Sequence, residues 1–261
     1  MTNTEKKKHF FENHILDLYQ RASCNCYPVF TDFLTTGEQA LLNGLRRQFH
    51  QLSDHTSVAL WGGHYDCSYV VAGFFPEEYQ EYSMTLFPVT CICIKPVDTR
   101  YTTPLTHRDY LGAILNLGIE RSMIGDIRIE EYKAFVFCKK EISSFIQEKL
   151  RMVKHTAVIC SVIENIEEIP KQQFEVFYRS VASPRLDNVI AAMVGKARGK
   201  AAELITQGKV IVDSSERTSV SYLCKDGCII SVRGYGKFRL GIPEDSVTAK
   251  GKQKIQIYKY K

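Results

Sequence analysis

Residues 183–213 read SPRLDNVIAAMVGKARGKAAELITQGKVIVD and decide the fold of the C-terminal third of the chain. The first apolar side chains recur at i, i+3, i+4 and i+7, the stripe of a short helix: Leu186, Val189, Ile190 and Met193. Ala201, Leu204 and Ile205 repeat this spacing and predict a second helix. Gly208 can end that helix in a left-handed conformation.

Two short strands are predicted after these helices. Val210 and Val212 alternate along the chain, as the buried side of a half-buried strand would. Residues 226–238, DGCIISVRGYGKF, begin with an Asp-Gly turn signal, after which Ile230 and Val232 alternate in the same way. The segment therefore predicts two small helices packed on a short twisted sheet.

The positive charge of the chain is concentrated in this C-terminal part. Residues 182–261 carry 15 Lys and Arg against 7 Asp and Glu, a net charge of +8. Residues 1–181 carry 19 and 22, a net charge of −3, so the whole-chain value of +5 arises from the C-terminal third. Such an asymmetry favours contact with nucleic acid.

Basic side chains of this segment are the candidate phosphate contacts. Arg198 and Lys200 flank the start of the second helix, where the helix dipole favours an anion. Arg233, Lys237 and Arg239 follow the last predicted strand. The alternative for each single side chain is a solvated basic face. The complete predicted RNA-binding set is Arg185, Lys196, Arg198, Lys200, Lys209, Arg233, Lys237 and Arg239.

The order of helices, strands and basic residues resembles the S4 RNA-binding domain. The resemblance implies structured RNA as the partner, with Arg185 and Asp187 opening the motif. Two positions depart from the residues that are usual in the family. Asp213 stands in place of Asn, and Cys228 stands in place of Asp. Both positions shape turns, so the departures bear on local turn geometry more than on binding.

The remaining sequence predicts an α+β protein with three blocks and a tail. Residues 1–55 form an N-terminal helical region, in which Glu38 follows Thr35 at capping-box spacing. Residues 56–170 alternate strands and helices, which predicts a central RNA-recognition or ferredoxin-like α+β sandwich. The S4 domain is expected at 182–241, a basic tail with one strand at 242–261, and a linker at 164–173. In the central block the predicted strands are 58–61, 69–74, 89–94, 132–138 and 155–163, and the predicted helices are 106–117 and 142–150.

A wider resemblance covers most of the chain. Residues 28–34, PVFTDFL, and residues 108–121, RDYLGAILNLGIER, are similar to stretches of the bacterial YlmH family. IGDI at 124–127 continues the likeness, and the S4 pattern follows in the order of the family. The resemblance implies a non-enzymatic factor that binds rRNA of the large ribosomal subunit, with peptidyl-tRNA as a neighbour. It also implies a role in ribosome-associated quality control, assisting C-terminal alanine tailing of nascent chains.

Two other classes of function remain open from the residues. S4 domains are also attached to enzymes that modify rRNA or tRNA, but those enzymes need a catalytic Asp, a glycine-rich cofactor loop or nucleotide-binding motifs elsewhere. The sequence shows none of these parts, so we expect no catalytic residue and no cofactor. A third possibility is a factor that acts through protein partners on its acidic N-terminal block.

Further features limit the expected sites and location. The nine cysteines form no zinc-binding spacing, so no metal site is expected, and Cys24 with Cys26 is the only pair worth testing. Tyr and Phe side chains of the central block either stack on RNA bases or form core, and their alternation with apolar residues favours core. We expect no membrane contact and a cytoplasmic location, because neither a long apolar run nor a secretory signal is seen.

Overall fold

The computed structural model describes residues 3–52, 55–79, 84–100, 104–213, 215–243 and 251–260. The chain divides into two compact units, Met1–Lys171 and Gln172–Lys261. The division falls within the predicted linker, and the predicted boundary between residues 55 and 56 lies inside the first unit. Within the described residues, no helix has the length and apolar character needed to cross a bilayer.

The first unit begins with three helices packed on a small sheet. Its elements are α1 Asn3–Asn25, β1 Val29–Leu34, α2 Thr36–Gly44, α3 Arg46–Leu52, β2 Thr56–Trp61 and β3 Val70–Pro76. The strands pair antiparallel in the order β1-β3-β2. The predicted capping box is confirmed, since Glu38 N–H donates to Thr35 Oγ1 and Thr35 N–H donates to Glu38 Oε2.

A ferredoxin-like sandwich completes the first unit. Its elements are β4 Val89–Pro96, α4 His107–Leu115, β5 Ile124–Glu130, β6 Lys133–Lys139, α5 Lys140–Lys149, β7 Met152–Val153 and β8 Thr156–Ile163. The antiparallel sheet has the order β5-β6-β4-β8-β7. The chain order β4-α4-β5-β6-α5-β8 is the βαββαβ order of the ferredoxin fold. The predicted fold class is therefore confirmed.

One expectation for the N-terminal region needs correction. The region 1–55 is predicted to be helical, but it contains β1. This strand pairs with β3, and β3 pairs with β2, so the three strands form a sheet separate from the ferredoxin-like sheet. The ferredoxin-like sandwich consequently begins at β4 and not at residue 56. The small sheet has apolar neighbours on both faces, so β1 shows no clean alternation of apolar and polar residues.

The two sheets of the first unit pack face to face. Phe33 and Phe75 of the small sheet share one apolar core with Cys91, Phe135 and Phe137 of the ferredoxin-like sheet. Helices α1 to α3 cover the outer face of the small sheet, and α4 and α5 cover the other face of the ferredoxin-like sheet. The first unit is thus a four-layer α-β-β-α arrangement. The inner strands β3, β4 and β6 are largely buried on both faces, whereas β8 keeps exposed positions such as Ile159.

The second unit combines the predicted helices with one antiparallel sheet. Its elements are β9 Phe174–Val181, α6 Leu186–Val194, α7 Arg198–Thr206, β10 Val210–Val212, β11 Ser215–Glu216, β12 Ile229–Val232, β13 Gly236–Gly241 and β14 Gln253–Tyr260. The strand order is β11-β10-β12-β13-β14-β9. The predicted apolar stripes of both helices are buried against one face of this sheet. Gly195 ends α6 in the left-handed conformation at φ 64°, and Gly208 after α7 has φ 66°.

Candidate nucleic-acid interface

A buried carboxylate at the start of α6 holds two arginines. Arg198 donates from Nη2 and Nε to Asp187 Oδ2 at 2.7 and 3.0 Å. Arg185 donates to both oxygens of the same carboxylate at 3.3 and 3.4 Å. The Asp187 side chain is 4% exposed, whereas the side chains of Arg185 and Arg198 are 37% and 59% exposed. Each guanidinium group is therefore held by the buried Asp187 carboxylate on one side and is exposed to solvent on the other.

The charge state of Asp187 supports this arrangement. Burial opposes ionisation of the carboxyl, but hydrogen bonds from Arg185, Arg198 and the Asn188 N–H together hold its pKa below the ordinary value. An ionised Asp187 carboxylate fixes the rotamers of both arginines before any ligand arrives. Anchored guanidinium groups lose less conformational entropy when they bind phosphate.

The start of α7 adds further positive charge beside this pair. Arg198 is the first residue of the helix, and Ala197 before it supplies no side-chain cap, so the orphan N–H groups of the first turn have no side-chain acceptor there. Lys200 lies on the same turn and donates to Glu203 at 2.7 Å in an exposed pair. Lys196 lies in the connection between the two helices and is exposed. Such a helix start favours an anion.

Lys209 and Arg233 flank two paired strands. Lys209 directly precedes β10 and Arg233 directly follows β12. Because Val210 pairs with Val232, the Arg233 N–H donates to the Lys209 carbonyl at 2.9 Å. Arg233 is exposed and Lys209 is half-buried. The pKa of Lys200 is raised mainly by its hydrogen bond to Glu203 and to a lesser degree by Tyr235, which lies in the turn that follows Arg233.

Lys237 and Arg239 lie apart from the other six predicted RNA-binding residues. Sequence reasoning placed both after the last strand, but they belong to β13, because alternation resumes directly after the glycine turn. Phe238 and Leu240 point towards the helices, so Lys237 and Arg239 lie on the opposite face of the sheet. The eight predicted residues therefore form two groups, six beside the helices and these two on the other face.

Sequence reasoning missed the aromatic residues that accompany the second group. The Arg239 guanidinium lies 5.0 Å from the ring centre of Phe174 and 4.6 Å from that of Tyr258. Lys237 Nζ lies 4.5 Å from the ring centre of Tyr260. The stretch QKIQIYKY, residues 253–260, held the available signal: Ile255 and Ile257 share one face of a strand, and Tyr258 and Tyr260 share the opposite face.

The aromatic residues of the ferredoxin-like sheet are core. Phe135 and Phe137 lie on the face that is covered by the small sheet, with 5% and 0% exposure. An open RNA-recognition sheet would use such positions to stack bases. The preference of the sequence for a core role is therefore correct, and base stacking at these two residues is excluded in this arrangement.

One polar cluster in the first unit resembles a catalytic site at first sight. His64 Nδ1 and the Arg128 guanidinium both contact the Asp66 carboxylate, and Arg128 also donates to the Cys67 sulfur at 3.4 Å and to the Pro170 carbonyl at 2.7 Å. Burial raises the pKa of the Cys67 thiol far above its ordinary value. A thiol in this state is a poor nucleophile at neutral pH, so the cluster is best explained as support for its loop.

The cysteines offer no obvious metal centre. Among the described residues, no three or more His, Cys, Asp or Glu side chains are grouped as metal ligands. Cys24 and Cys26 are exposed, whereas Cys91 and Cys93 are buried in the core between the two sheets.

Asp213, one of the two turn positions that depart from the S4 pattern, fits its turn without loss of backbone pairing. Asp213 adopts φ 46° and accepts the Ile229 N–H at 2.9 Å.

Comparison with known families agrees with this geometry. The S4 domain model matches residues 184–230, which contain α6, α7 and the two anchored arginines. A model described as a putative RNA-binding domain in YlmH matches residues 78–167, which contain the ferredoxin-like sandwich. The fold, the basic surface and these matches define an S4-domain RNA-binding protein.

Two known proteins place the chain more narrowly. It is 28% identical over 218 residues to the ribosome-associated protein quality control protein P2 of Bacillus subtilis (strain 168), covering 80% of this chain and 79% of that protein. The solved structure of the cell division protein ylmH from Streptococcus pneumoniae shares the fold, with a TM-score of 0.52 and 20% identity over 65% of this chain and 97% of that chain. The chain is thus similar to the YlmH proteins in both its central region and its S4 domain.

Proposed function

We propose that this protein is a non-enzymatic factor that docks on rRNA of the large ribosomal subunit in the cytoplasm. There it lies next to peptidyl-tRNA and assists ribosome-associated quality control by promoting C-terminal alanine tailing. The observation that carries the docking step is the pair of arginines anchored by Asp187 beside the start of α7. The Bacillus relative is named for ribosome-associated protein quality control, which supports the proposed role at the ribosome.

The docking contact is electrostatic and reads the shape of folded RNA. The cationic groups lie at the starts of α6 and α7 and next to the paired strands β10 and β12. They belong to Arg185, Arg198, Lys200, Lys209 and Arg233. Contacts of this kind neutralise phosphates and carry little base specificity. If about five phosphates are neutralised, the logarithm of the association constant should fall with the logarithm of salt at a slope of roughly −3.5 to −4.5.

Co-sedimentation with purified 30S, 50S and 70S particles across a salt series tests the proposal. The expected result is salt-sensitive binding to 50S particles that the Arg198→Ala, Lys200→Ala double variant weakens, with a slope flatter by about two units. A matched control is the Lys7→Ala, Lys8→Ala double variant, which removes the same charge from exposed positions of α1. The control should bind as the unmodified protein does.

Two results would overturn the docking model. Binding that does not respond to salt would contradict phosphate neutralisation. Absence of ribosome binding, together with binding and chemical change of free tRNA or rRNA fragments, would point instead to an S4-domain RNA-modifying enzyme.

Trapped 50S–peptidyl-tRNA complexes test the proposed role in alanine tailing. Addition of the protein to these complexes should increase the length or yield of alanine tails.

A further inference from the structure

The sheet of the second unit has a second face that the helices do not cover. Ile255 and Ile257 of β14 are buried against α6 and α7, so Tyr258 and Tyr260 lie on the other face. The strand register places Tyr258 opposite Arg239 on one side and Val176 on the other. We call this face the aromatic sheet face. Its described positions on β9, β13 and β14 are Phe174, Val176, Tyr178, Ser180, Lys237, Arg239, Gly241, Lys254, Gln256, Tyr258 and Tyr260.

The aromatic rings and the cations of this face alternate in space. Phe174 lies edge-to-face with Tyr260 at 4.9 Å and with Tyr258 at 5.8 Å between ring centres. The Arg239 guanidinium covers Phe174 and Tyr258, and the Lys237 ammonium covers Tyr260. Ring faces that already accept a planar guanidinium can also accept a planar base, and a guanidinium can itself stack on a base.

Exposure and charge both indicate a partner for this face. Tyr178 is 70% exposed and Val176 is 42% exposed, an unusual amount of open apolar surface on neighbouring positions. Among the described outward positions of the three strands there is no carboxylate, whereas Lys237, Arg239 and Lys254 are cationic. The complementary ligand is therefore anionic and carries flat apolar groups.

Two adjoining hollows on this face could accommodate an anionic ligand with flat apolar groups. One has a volume of about 650 Å³ and is lined by residues that include Tyr178, Ser180 and Lys254. The other has a volume of about 530 Å³ and is lined by residues that include Arg239, Tyr258 and Asp226. The Asp226 carboxylate accepts the Ile242 N–H. Gln256 and Pro243 line both hollows, so the two hollows adjoin each other at β14. Volumes of this size hold a small organic group with its polar contacts.

We propose that the aromatic sheet face is a second RNA site that takes unpaired bases, while the helix side of the same unit contacts folded RNA. The inference rests on the proposed RNA-binding function and extends it to another kind of RNA structure. Bases stack on Tyr178 and Tyr258, and Lys254 and Arg239 contact the connecting phosphates. Duplex RNA cannot use this face in the same way, because its bases are stacked on one another.

Fluorescence anisotropy with single-stranded RNA of about 12 nucleotides, a length within the usual site sizes of such surfaces, tests the proposal. A Tyr178→Ala variant removes a largely exposed ring, and Tyr258→Leu keeps an apolar residue in the strand but removes the aromatic face. Each should weaken single-strand binding about tenfold, leave the salt slope unchanged and leave a hairpin duplex bound as before. Tyr65→Ala, at an 84% exposed tyrosine of the first unit, is the matched control.

Further measurements distinguish failure of the aromatic-site proposal from failure of the docking proposal. Quenching of a 2-aminopurine base in the single strand should accompany binding and disappear in Tyr178→Ala and Tyr258→Leu. Unchanged single-strand binding in both variants, or equal loss for single strand and duplex, would overturn the aromatic site. In contrast, failure of the docking proposal would appear as loss of 50S binding by the unmodified protein, whatever these two variants do. Circular dichroism of each variant verifies the fold before binding is compared.

Discussion

Replacement of Asp187 by Asn separates the positioning of the arginines from their charge. The substitution preserves the shape of the side chain and an oxygen that can accept the Asn188 N–H, but it removes the negative charge that anchors Arg185 and Arg198. The net charge of the surface becomes more positive by one. A model based on charge alone therefore expects tighter RNA binding, and a model based on positioning expects weaker binding.

The magnitudes favour positioning. Removal of the buried Asp187 charge improves the attraction of the two partly exposed arginines to phosphate by at most about 1 kcal/mol, since solvent screens charges at their surface. An unanchored arginine has up to about 2 kcal/mol of side-chain conformational entropy to lose on binding. Two arginines are released, and each loses only part of this freedom when it contacts RNA. We expect RNA binding to weaken by about three- to tenfold, a net cost of about 1 kcal/mol.

Stability should fall as well. Charge-assisted hydrogen bonds contribute about 1.5–3 kcal/mol each when fully buried. Both arginines can regain water, because their side chains are 37% and 59% exposed. We therefore expect the free energy of unfolding of the Asp187→Asn variant to fall by about 2 kcal/mol, as measured by urea denaturation with far-UV circular dichroism.

The assay pairs this variant with Glu203→Gln. That control also removes one negative charge near α7, but it releases only Lys200, whose pairing is exposed. Anisotropy with a structured RNA hairpin at several salt concentrations should show weaker binding for Asp187→Asn and unchanged or slightly tighter binding for Glu203→Gln. If a folded Asp187→Asn variant binds as tightly as the unmodified protein, or more tightly, the positioning role is refuted.

The pH dependence gives an independent check of the same carboxylate. The folded-state pKa of Asp187 lies below its ordinary value of about 3.9. Its contribution to stability is therefore complete above that ordinary value and is lost as the pH falls through the folded-state pKa. The Asn variant should lack this part of the acid-side loss of stability.

Three further predictions concern the first unit. Thr35→Ala removes the acceptor for the Glu38 N–H and should lower the free energy of unfolding by about 1 kcal/mol in urea denaturation; an unchanged midpoint would contradict the cap. Phe137→Ala should cost about 3–5 kcal/mol in the same assay without changing the RNA salt slope. Hydrogen bonding to Lys154 lowers the pKa of Asp109 to about 2, so stability should fall between about pH 4 and pH 2, and less so in Asp109→Asn.

Local patterns predicted the elements whose partners are close in the sequence. The stripes of α6 and α7 follow directly from helical spacing, and the capping box at Thr35 and Glu38 needs only four consecutive residues. The basic residues of the S4 segment were also visible as charge. The anchoring by Asp187 was not, because the contact to Arg198 spans a helix and a turn and depends on burial.

The errors arose where strands pair over long distances. β9 and β14 are adjacent in the sheet although they lie at opposite ends of the second unit, and β1 pairs with β3 across two helices. Alternation indicates that a segment is a strand, but it does not indicate which strand will be its neighbour. The same limit hid the aromatic sheet face, because Phe174 and Tyr258 come together only when β9 and β14 pair.

The burial of the ferredoxin-like sheet limits the surfaces of this protein that are open to unpaired bases. An open sheet of this topology presents its central strands to unpaired bases, but here Phe135 and Phe137 contact the small sheet instead. Any RNA contact of the matched region 78–167 must then use helices, loops or strand edges, which contact backbone more readily than bases. Among the described sheet faces, aromatic rings interleaved with cations occur on β9, β13 and β14. The proposed stacking of unpaired bases is therefore assigned to the second unit.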